Sequence, residues 1–576
     1  MGVWDSWSHR IRSLGRYVAL TGTLALVAGC GTSAAQATAP SVLTIALPVQ
    51  LSLDWWPPIV PGLDCYTLTG GYLGPDMYRP LLWMSKTDTI QYSRSIASGI
   101  AVSGHDTVFT ITLNPKWHWS NGQPITSADV VYDAQLILAA SGPKSPLAYC
   151  FAGSGGVPQD WKSVTADGPG KVVVTTTASV NPVWFEHNGL SQLVPMPKAT
   201  WDKYANPLRE LAWINAIGNS PGNAVYKVVD GPYTITKAVQ DQYWEFSINP
   251  RFSGSHKPTI PHVLYDYEAS AASTFADLKK GNVQIAHIPL NYYQPSEALS
   301  DYRIVKEPLF AYAYDRINFN PKALNGEGAL LDKLYIRQAL QYGIDQQGIL
   351  KSILLGFGNI TNGPVPYAPH NAYYDYNMPQ YYQFNIARGR AILEAHGWRL
   401  VNGVMQRNGQ PLTFQVIFGT GSPSLTDELE LMQADWAKEG IRVSLKSEAP
   451  SAVRGIVDNP ANSTQWAISA GGGWIYAPDF YPSGGGLYKA GAGFNFGDYN
   501  DPHANALIDA TYAGGTPAQV AARFQAYQTY MAQQLPDLWV PTSDYIWAVS
   551  KNVHGFAANF SAFWSYTPDN FLTYSR

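Results

Sequence analysis

The stretch WHWSNGQPITSADVVYD, Trp117–Asp133, carries the strongest local structure signals in this chain. Asn121 and Gly122 form the dipeptide favoured at the centre of a type I′ hairpin turn, where both residues need a positive φ. Thr126 is followed three residues later by Asp129, which is the spacing of a helix-capping box. The stretch therefore predicts the end of a hairpin and the start of a helix.

The aromatic residues of this stretch have a structural interpretation as well as a catalytic one. Trp117 and Trp119 lie on one side of an extended segment, where they would cover a core, and His118 points the other way. His118 has no partner at the spacing of a metal site or a catalytic triad. We therefore interpret the stretch as scaffold. The apolar stripe of its helix is predicted at Val130, Ala134 and Ile137.

Strand-like and helix-like patterns alternate along the rest of the chain. SVLTIALPV (Ser41–Val49) and TVFTITL (Thr107–Leu113) have the apolar or alternating pattern of strands. Strands interleaved with helices indicate an α/β protein, and no repeat of solenoid period is present.

Two helices can be predicted with their ends. In SPSLTDELELMQADWAKEG, Ser424 and Asp427 suggest a capping box and Gly440 a C-terminal stop. In TPAQVAARFQAYQTYMAQQLP, Thr516 is the expected N-cap and Pro517 the first helical residue. The buried sides are predicted at Leu425, Leu429, Met432 and Trp436 in the first helix and at Val520, Phe524, Tyr527 and Met531 in the second.

Length and composition limit the class of protein. A chain of 576 residues is too long for a single core, so two to four domains are expected. With 46% apolar and 14% charged residues the chain is globular, and a net charge of −4 without a basic run argues against nucleic-acid binding. The 13% aromatic content fits a ring-lined binding site and large cores equally well.

The N-terminus has the features of an export signal. Arg10, Arg12 and Arg16 precede the apolar stretch Tyr17–Ala28, which is too short to span a bilayer as a helix. The sequence VAGC that ends at Cys30 resembles a bacterial lipobox, in which the cysteine thiol receives a diacylglyceryl group. An exported chain that is anchored to lipid on the outer face of the cytoplasmic membrane is therefore expected.

This interpretation divides the N-terminal region and leaves two further cysteines. Residues 1–29 would be the signal peptide, and the small, aperiodic residues 30–41 would be a flexible tether. Outside the cytoplasm, Cys65 and Cys150 favour a disulfide, with two buried thiols as the alternative.

Enzyme motifs are missing from the sequence. The 11 histidines include no HExxH and no pair four residues apart, and GGGWIY lacks the Lys-Ser/Thr of a phosphate loop. We therefore expect a protein that is not an enzyme and that has no metal or cofactor. A secreted hydrolase and a structural lipoprotein are the less favoured alternatives.

Several segments in order resemble one family. KWHWSNGQPITSADVVYD closely resembles a characteristic segment of family 5 extracellular solute-binding proteins, the oligopeptide- and dipeptide-binding lipoproteins of ABC importers. GPYTI (Gly231–Ile235), SINPRFSG (Ser247–Gly254) and LYIRQALQYGIDQQGIL (Leu334–Leu350) resemble later segments in the same order. ARGRAILEAHGW and GFNFGDYNDPHANALIDA continue the likeness, which covers nearly all of the chain after the tether.

The resemblance implies a two-lobed type II periplasmic-binding fold, shaped like a clamshell. Lobe I would comprise residues 42–309, with an extra subdomain at about 85–212. Lobe II would comprise residues 310–540, and residues 541–576 would return to lobe I.

The resemblance also implies a ligand site between the lobes, on a strand of lobe II within residues 468–482. Gly473, Trp474 and Ile475 would supply main-chain and stacking contacts, and glycine allows close approach of another backbone. Asp479 is a candidate replacement for the family's amine-binding aspartate, because Ala477 occupies that aspartate's position, and Asn495 is a further candidate contact.

A peptide is the expected ligand, and an oligosaccharide is the main alternative. The expected partners are the ABC permease subunits in the membrane, and the chain itself is expected to be a monomer.

Overall fold

Mixed β-sheets and helices make up the computed structural model, which describes residues 42–47, 55–61, 74–85, 87–153, 156–239, 242–268, 270–476 and 481–556. These residues all belong to one compact unit. Cys30, Cys65 and Asp479 lie outside the described residues.

The described strands are short and are spread over the whole chain. They are β1 (Val42–Leu47), β2 (Ala97–Ser103), β3 (Val108–Leu113), β4 (Trp161–Ala166), β5 (Lys171–Thr176), β6 (Tyr233–Val239), β7 (Tyr243–Ile248), β8 (His262–Tyr267), β9 (Ile285–His287), β10 (Tyr302–Glu307), β11 (Ala311–Ile317), β12 (Gly358–Asn359), β13 (Arg399–Val401), β14 (Val404–Arg407), β15 (Gln410–Pro411), β16 (Thr413–Gly419), β17 (Arg442–Glu448), β18 (Ile468–Ile475), β19 (Asp537–Val540), β20 (Thr542–Ser543) and β21 (Tyr545–Ser550).

Helices lie between these strands, as the alternating patterns predict. They are α1 (Gly74–Met77), α2 (Ser127–Ala140), α3 (Pro182–Trp184), α4 (Lys198–Trp201), α5 (Pro207–Ile217), α6 (Ala271–Lys280), α7 (Tyr293–Ser296), α8 (Glu327–Leu331), α9 (Leu334–Tyr342), α10 (Gln346–Ser352), α11 (Ile386–Ala395), α12 (Pro423–Glu439), α13 (Pro450–Val457), α14 (Gly485–Tyr488), α15 (Pro502–Tyr512) and α16 (Pro517–Gln534). A π-helical turn at Phe185–Leu190 continues α3.

Five sheets are formed within the described residues, and three of them organise the fold; the other two are the small sheets β12-β20 and β13-β14-β15. A seven-stranded sheet has the order β10-β21-β9-β1-β8-β7-β6, so its strands come from the first part of the chain and from the return strand β21. A five-stranded sheet, β17-β16-β18-β11-β19, is built from later strands. A four-stranded antiparallel sheet, β2-β3-β5-β4, packs against α2. The lobe and subdomain boundaries given above remain predictions.

The hairpin before α2 differs from the predicted turn. Gly122 has a φ of 90°, whereas Asn121 does not share that positive φ, so the type I′ prediction is wrong. The Gly122 N–H donates to the Trp119 carbonyl at 2.8 Å, and the Asn121 Oδ1 accepts from the Gln123 N–H at 3.0 Å. Because this side-chain bond satisfies Asn121 at a negative φ, only the glycine takes the left-handed conformation.

The scaffold interpretation of this stretch is confirmed. Trp117 and Trp119 are each 2% exposed, and the Trp117 ring lies 5.7 Å from the Phe252 ring. Thr126 is the N-cap of α2, and its N–H donates to Asp129 Oδ2 at 2.8 Å. The predicted stripe Val130, Ala134 and Ile137 is buried.

The helix ends were predicted correctly except at one N-cap. Helix α12 begins after Ser422, whose hydroxyl accepts from the Leu425 N–H, so the predicted capping box at Ser424 is wrong. Pro423 explains the difference, because proline favours the first helical position. Gly440 ends the helix with a φ of 91°, and Thr516 caps α16 as predicted. Leu429, Met432 and Trp436 are buried, as are Phe524, Tyr527 and Met531, whereas Leu425 and Val520, which were also predicted on the buried sides, are only half-buried.

Candidate functional site

Strand β18 has one edge that is only partly paired. Strand β16 pairs with β18 only at Ile468 and Ser469, whereas β11 pairs with β18 as far as Ile475. Beyond Ser469, therefore, the second edge of β18 faces no strand within the described part of the chain. Gly473 on this edge is exposed, and Ile475 is half-buried.

The hydrogen bonding shows which main-chain groups face the open edge. The N–H of Ala313, which lies opposite Gly473, donates to Thr542 Oγ1 at 3.0 Å on the far side of β11. The Tyr476 N–H donates back to the Phe310 carbonyl at 3.0 Å. Because bonding alternates along an antiparallel pair, the main-chain groups of Gly473 and Ile475 point away from β11 and toward the open edge.

The three consecutive glycines of β18 are present for different reasons. Gly471 has a φ of 78°, and a Cβ there would lie 2.8 Å from Leu425 Cδ2. A Cβ on Gly472 would lie 2.7 Å from the Tyr314 carbonyl oxygen, where β11 has a register shift. A Cβ on Gly473 would have its nearest neighbour at 3.6 Å, an ordinary contact. The internal packing therefore requires glycine at the first two positions and leaves the third unexplained.

Trp474 packs beside this edge. Its side chain is 8% exposed, and the Phe494 ring meets it edge-on with centroids 5.0 Å apart. Its indole N–H is buried without an acceptor among the described residues. Because a buried N–H without an acceptor is unfavourable, this group is a candidate donor to a ligand that enters the site.

Asn495 has its side chain occupied by the loop that carries it. The Nδ2 group donates to the Tyr499 carbonyl at 2.7 Å and to the Lys489 carbonyl at 3.2 Å, and Oδ1 accepts from the Tyr499 N–H at 2.9 Å. A ligand contact by Asn495 stays a prediction, as do the roles of Asp479 and Cys30. Cys150 is buried and disulfide-bonded, and its pairing with Cys65 also stays a prediction.

Three buried carboxyl groups lie behind the glycine strand, and sequence analysis did not single them out. Asp315 Oδ1 accepts from the Gly471 N–H at 3.1 Å, and burial raises the pKa of Asp315 to about 7. Burial and the charge of Asp315 raise the pKa of Glu428 to about 8. Asp537 accepts from the Ile317 N–H at 3.1 Å and the Tyr488 hydroxyl at 3.0 Å, and burial raises its pKa to about 7. The one sequence signal is an aspartate within the aromatic strand AYAYDRI.

Residues from the first half of the chain bind the segment that follows β18. The Asn188 side chain bonds both main-chain groups of Tyr481, at 2.7 Å to the N–H and 3.0 Å to the carbonyl. Asn181 donates to the Tyr481 hydroxyl at 2.9 Å, and the Trp184 and Tyr512 rings stack at 4.3 Å. These contacts join residues near the π-helical turn to the end of the candidate site.

The described residues contain neither a metal site nor a membrane span. In the described ranges, no three His, Cys, Asp or Glu side chains group in a way that could hold a metal ion. None of the helices within those ranges is both long and apolar enough to cross a membrane.

The sheets and their connecting helices form a mixed α/β architecture with one partly paired strand, β18. Residues 91–494 match the family described as "Bacterial extracellular solute-binding proteins, family 5 Middle". The chain therefore belongs to family 5 of the bacterial extracellular solute-binding proteins.

Named relatives and solved structures agree with this assignment. The oligopeptide-binding protein AppA of Bacillus subtilis is 21% identical over 481 residues, which are 82% of each protein. The oligopeptide-binding protein OppA of Lactococcus lactis is 22% identical over 491 residues, 81% of this chain and 79% of that protein.

Among solved structures, AppA of Bacillus subtilis in complex with a nonapeptide has a TM-score of 0.74 at 18% identity, covering 92% of this chain and 98% of AppA. NikZ of Campylobacter jejuni in complex with Ni(L-His) has a TM-score of 0.75 at 17% identity, covering 93% of this chain and 99% of NikZ. The predicted two-lobed α/β fold is thus confirmed.

Proposed function

We propose that this chain is the substrate-binding component of an ABC importer and that it captures extracellular peptides. The observation that carries the proposal is the open edge of β18, toward which Gly473 and Ile475 direct their main-chain groups. An extended peptide can add to such an edge as a further strand. The proposal is supported by the relatives named as oligopeptide-binding proteins and by the nonapeptide bound to AppA.

Binding and delivery need no chemical step on the ligand. Contacts from both lobes would stabilise the closed form, which would then dock on the permease subunits as a monomer. Asp479 and Asn495 are proposed as further ligand contacts.

Replacing Trp474 by phenylalanine should weaken peptide binding about tenfold, because the variant loses one hydrogen-bond donor and keeps an aromatic ring against Phe494. Isothermal titration calorimetry with a peptide recovered from the purified protein measures the change. The Tm should stay close to that of the parent.

Trp466 provides the matched control. Its indole N–H is also buried without an acceptor among the described residues, but Trp466 packs in a core with Ile417, Val453 and Val457. Trp466→Phe should leave affinity unchanged. Equal affinities for Trp474→Phe and the parent would remove the Trp474 N–H from the site.

An oligosaccharide is the second candidate ligand, because sugars bind against aromatic faces. Tyr367 and Tyr376 are 47% and 40% exposed and lie with Tyr374 in a cluster whose ring centroids are 5.0–5.5 Å apart. Mass spectrometry of the material that co-purifies with the protein distinguishes the two candidates.

The lipid anchor is proposed at Cys30, with residues 1–29 as the signal peptide. Cys30→Ser should abolish incorporation of a labelled fatty acid and release the protein from the membrane fraction, because serine lacks the thiol that is alkylated. Cys65→Ser is the control and should keep the label. Labelling of Cys30→Ser at the parent's level would contradict the proposed anchor.

A further inference from the structure

Strand β18 contains a bulge at the point where its second edge becomes free. Arg316 pairs with Ser469 and Tyr314 pairs with Gly472, so β18 carries one residue more than β11 between these two pairs. The extra residue lies opposite Asp315, as in a β-bulge. Strand β16 stops pairing with β18 at Ser469, directly before the bulge. The open edge of β18 therefore begins at this bulge.

The bulge reverses which main-chain groups of β18 face β11. Before the bulge, the Ala467 carbonyl accepts from the Asn318 N–H at 2.9 Å, and Ser469 is the next residue that faces β11. After the bulge, the Tyr476 N–H donates to the Phe310 carbonyl at 3.0 Å. Because bonding between antiparallel strands alternates along each strand, odd-numbered residues of β18 face β11 before the bulge and even-numbered residues face it afterwards.

This reversal turns Gly473 and Ile475 toward the open edge. In a strand without the extra residue, the odd-numbered residues would continue to face β11, so Gly473 and Ile475 would pair there. The main-chain groups of Trp474 would then lie at the open edge, and its side chain would move to the other face of the sheet. The bulge therefore sets the main-chain pattern with which an added ligand strand would pair.

Asp315 holds the bulge with its side chain. The extra residue of a bulge has no main-chain partner in the facing strand, so its N–H needs another acceptor. Here Asp315 Oδ1 accepts from the Gly471 N–H at 3.1 Å. Asp315 Oδ2 is buried and has no hydrogen-bond partner among the described residues. The bond to Gly471 is therefore the hydrogen bond that orients this carboxyl group.

The surroundings of Asp315 are unfavourable for an acid. Asp315 is 1% exposed, and burial raises its pKa to about 7, against the hydrogen bond from Gly471 and with a further contribution from the charge of Asp537. Glu428 of α12 is a second buried acid that interacts with Asp315. Arg316 acts on Asp537 and lowers the pKa of that group. Burying an acid among other acids costs free energy, so the bond to Gly471 gives Asp315 a role that offsets this cost.

We propose that Asp315 is a positioning residue of the ligand-binding edge: its carboxyl group holds the bulge at Gly471, and the bulge presents Gly473 and Ile475 to the captured peptide. The inference rests on the proposed peptide-binding function. Asp315 acts through β18 and not by contact with the peptide.

Substitutions at Asp315 separate the hydrogen bond from the charge. Asp315→Ala should lower peptide affinity about tenfold, because the Gly471 N–H loses its acceptor. Asp315→Asn keeps an oxygen acceptor at the same place and should restore the affinity to within about twofold of that of the parent. Calorimetric titration with a synthetic copy of the peptide that co-purifies with the protein measures both variants.

Glu439 provides the matched control. It is a fully buried acid of the same helix as Glu428, and it lies about 20 Å along α12 from Leu425, the residue nearest to Gly471. Glu439→Ala should lower the Tm and leave the affinity unchanged. Loss of affinity in Asp315→Ala with full affinity in Glu439→Ala separates positioning from a general effect on stability.

A labelled amide reports on the edge directly. Trp-Ile dipeptides occur in the chain only at Trp213–Ile214 and Trp474–Ile475. Protein that contains carbonyl-¹³C tryptophan and ¹⁵N isoleucine therefore gives two amide signals in a carbonyl-correlated NMR spectrum, and Ile214 in α5 is the reference. The same peptide should slow hydrogen exchange of the Ile475 amide at least about tenfold in the parent and in Asp315→Asn, but not in Asp315→Ala. A role of Asp315 in stability alone would leave this response intact.

The parent protein tests the register without any substitution. Gly-Trp dipeptides occur only at Gly397–Trp398 and Gly473–Trp474, so carbonyl-¹³C glycine with ¹⁵N tryptophan isolates the Trp474 amide. Before peptide is added, the Trp474 amide should exchange more slowly than the Ile475 amide, because it faces β11. The opposite order would overturn the inference even if Asp315→Ala fails to fold.

The remaining outcomes distinguish the inference from the proposed function. Equal peptide affinity in Asp315→Ala and the parent, or failure of Asp315→Asn to restore the affinity, would overturn the inference and leave peptide binding intact. Peptide binding by the parent without slower exchange at Ile475 would show that the peptide does not pair with this edge, and would also overturn the inference. A parent protein that binds no peptide would overturn the proposed function, and the inference with it.

Discussion

Gly473→Pro should reduce ligand affinity at least about 100-fold, at a cost of only about 1 kcal/mol in the free energy of unfolding. The Gly473 N–H faces the open edge of β18 and takes no part in the pairing with β11. Proline removes that donor and places its ring in the plane where a ligand strand would pair. Proline is tolerated where the missing N–H faces away from the ladder.

Two neighbouring variants make this result specific. Gly473→Ala keeps the N–H and adds a Cβ whose nearest neighbour is at 3.6 Å, so both affinity and stability should stay near those of the parent. Gly472→Pro places proline where the N–H faces β11, and this variant should unfold at a lower temperature. Calorimetric titration with the ligand recovered from the protein, together with thermal unfolding, measures the set. Full affinity in a folded Gly473→Pro variant would show that the ligand does not pair with this edge.

Local signals in the sequence predicted elements well and failed where two signals competed. Thr516 and Thr126 have unambiguous capping patterns, and the structure confirms both. At α12 two serines were available, and the proline between them selected Ser422 over Ser424. At the hairpin, the Asn121 side chain accepts a hydrogen bond from the Gln123 N–H. This bond opposes the type I′ turn that the Asn-Gly dipeptide favours.

The candidate site was predicted only as a segment. The resemblance to the family indicated Gly473, Trp474 and Ile475. It could not show which of their main-chain groups face the open edge, because that depends on how β18 is paired with β11, more than 150 residues earlier in the chain. The buried Asp315, Glu428 and Asp537 could not be predicted, because they come from three distant segments, β11, α12 and β19, that meet only in the folded protein.

The stability of this protein should fall as the pH rises from about 5 to 8. Several carboxyl groups are buried, and burial is the main cause that raises the pKa of each. The pKa is about 8 for Asp230, about 7 for Asp315, about 8 for Glu428, about 9 for Glu439 and about 7 for Asp537. In the unfolded chain, carboxyl groups titrate near pH 4.

The direction in which stability changes with pH follows from the difference in proton binding between the folded and the unfolded protein. Between about pH 4 and the raised pKa values, the folded protein keeps protons that the unfolded chain has lost. The stability contribution of these groups is therefore fully present below pH 4 and is lost as the pH rises toward 7–9. His287 opposes this trend, because burial lowers its pKa to about 4 and favours the folded state at higher pH. One histidine acts against five carboxyl groups, so the carboxyl groups dominate.

Thermal unfolding at fixed ionic strength should give a Tm at pH 5 that is higher than the Tm at pH 8 by at least about 5 °C. Glu428→Gln and Asp315→Asn remove charge from the buried pair and should flatten this slope, whereas Asp332→Asn, at an exposed carboxylate, should leave it unchanged. If only the Glu428 and Asp315 variants flatten the pH dependence of the Tm, the protons that the folded protein retains lie directly behind Gly471. The Gly471 N–H donates a hydrogen bond to Asp315. A Tm that rises between pH 5 and pH 8 would contradict the prediction, because it would mean that these carboxyl groups fold in their charged form.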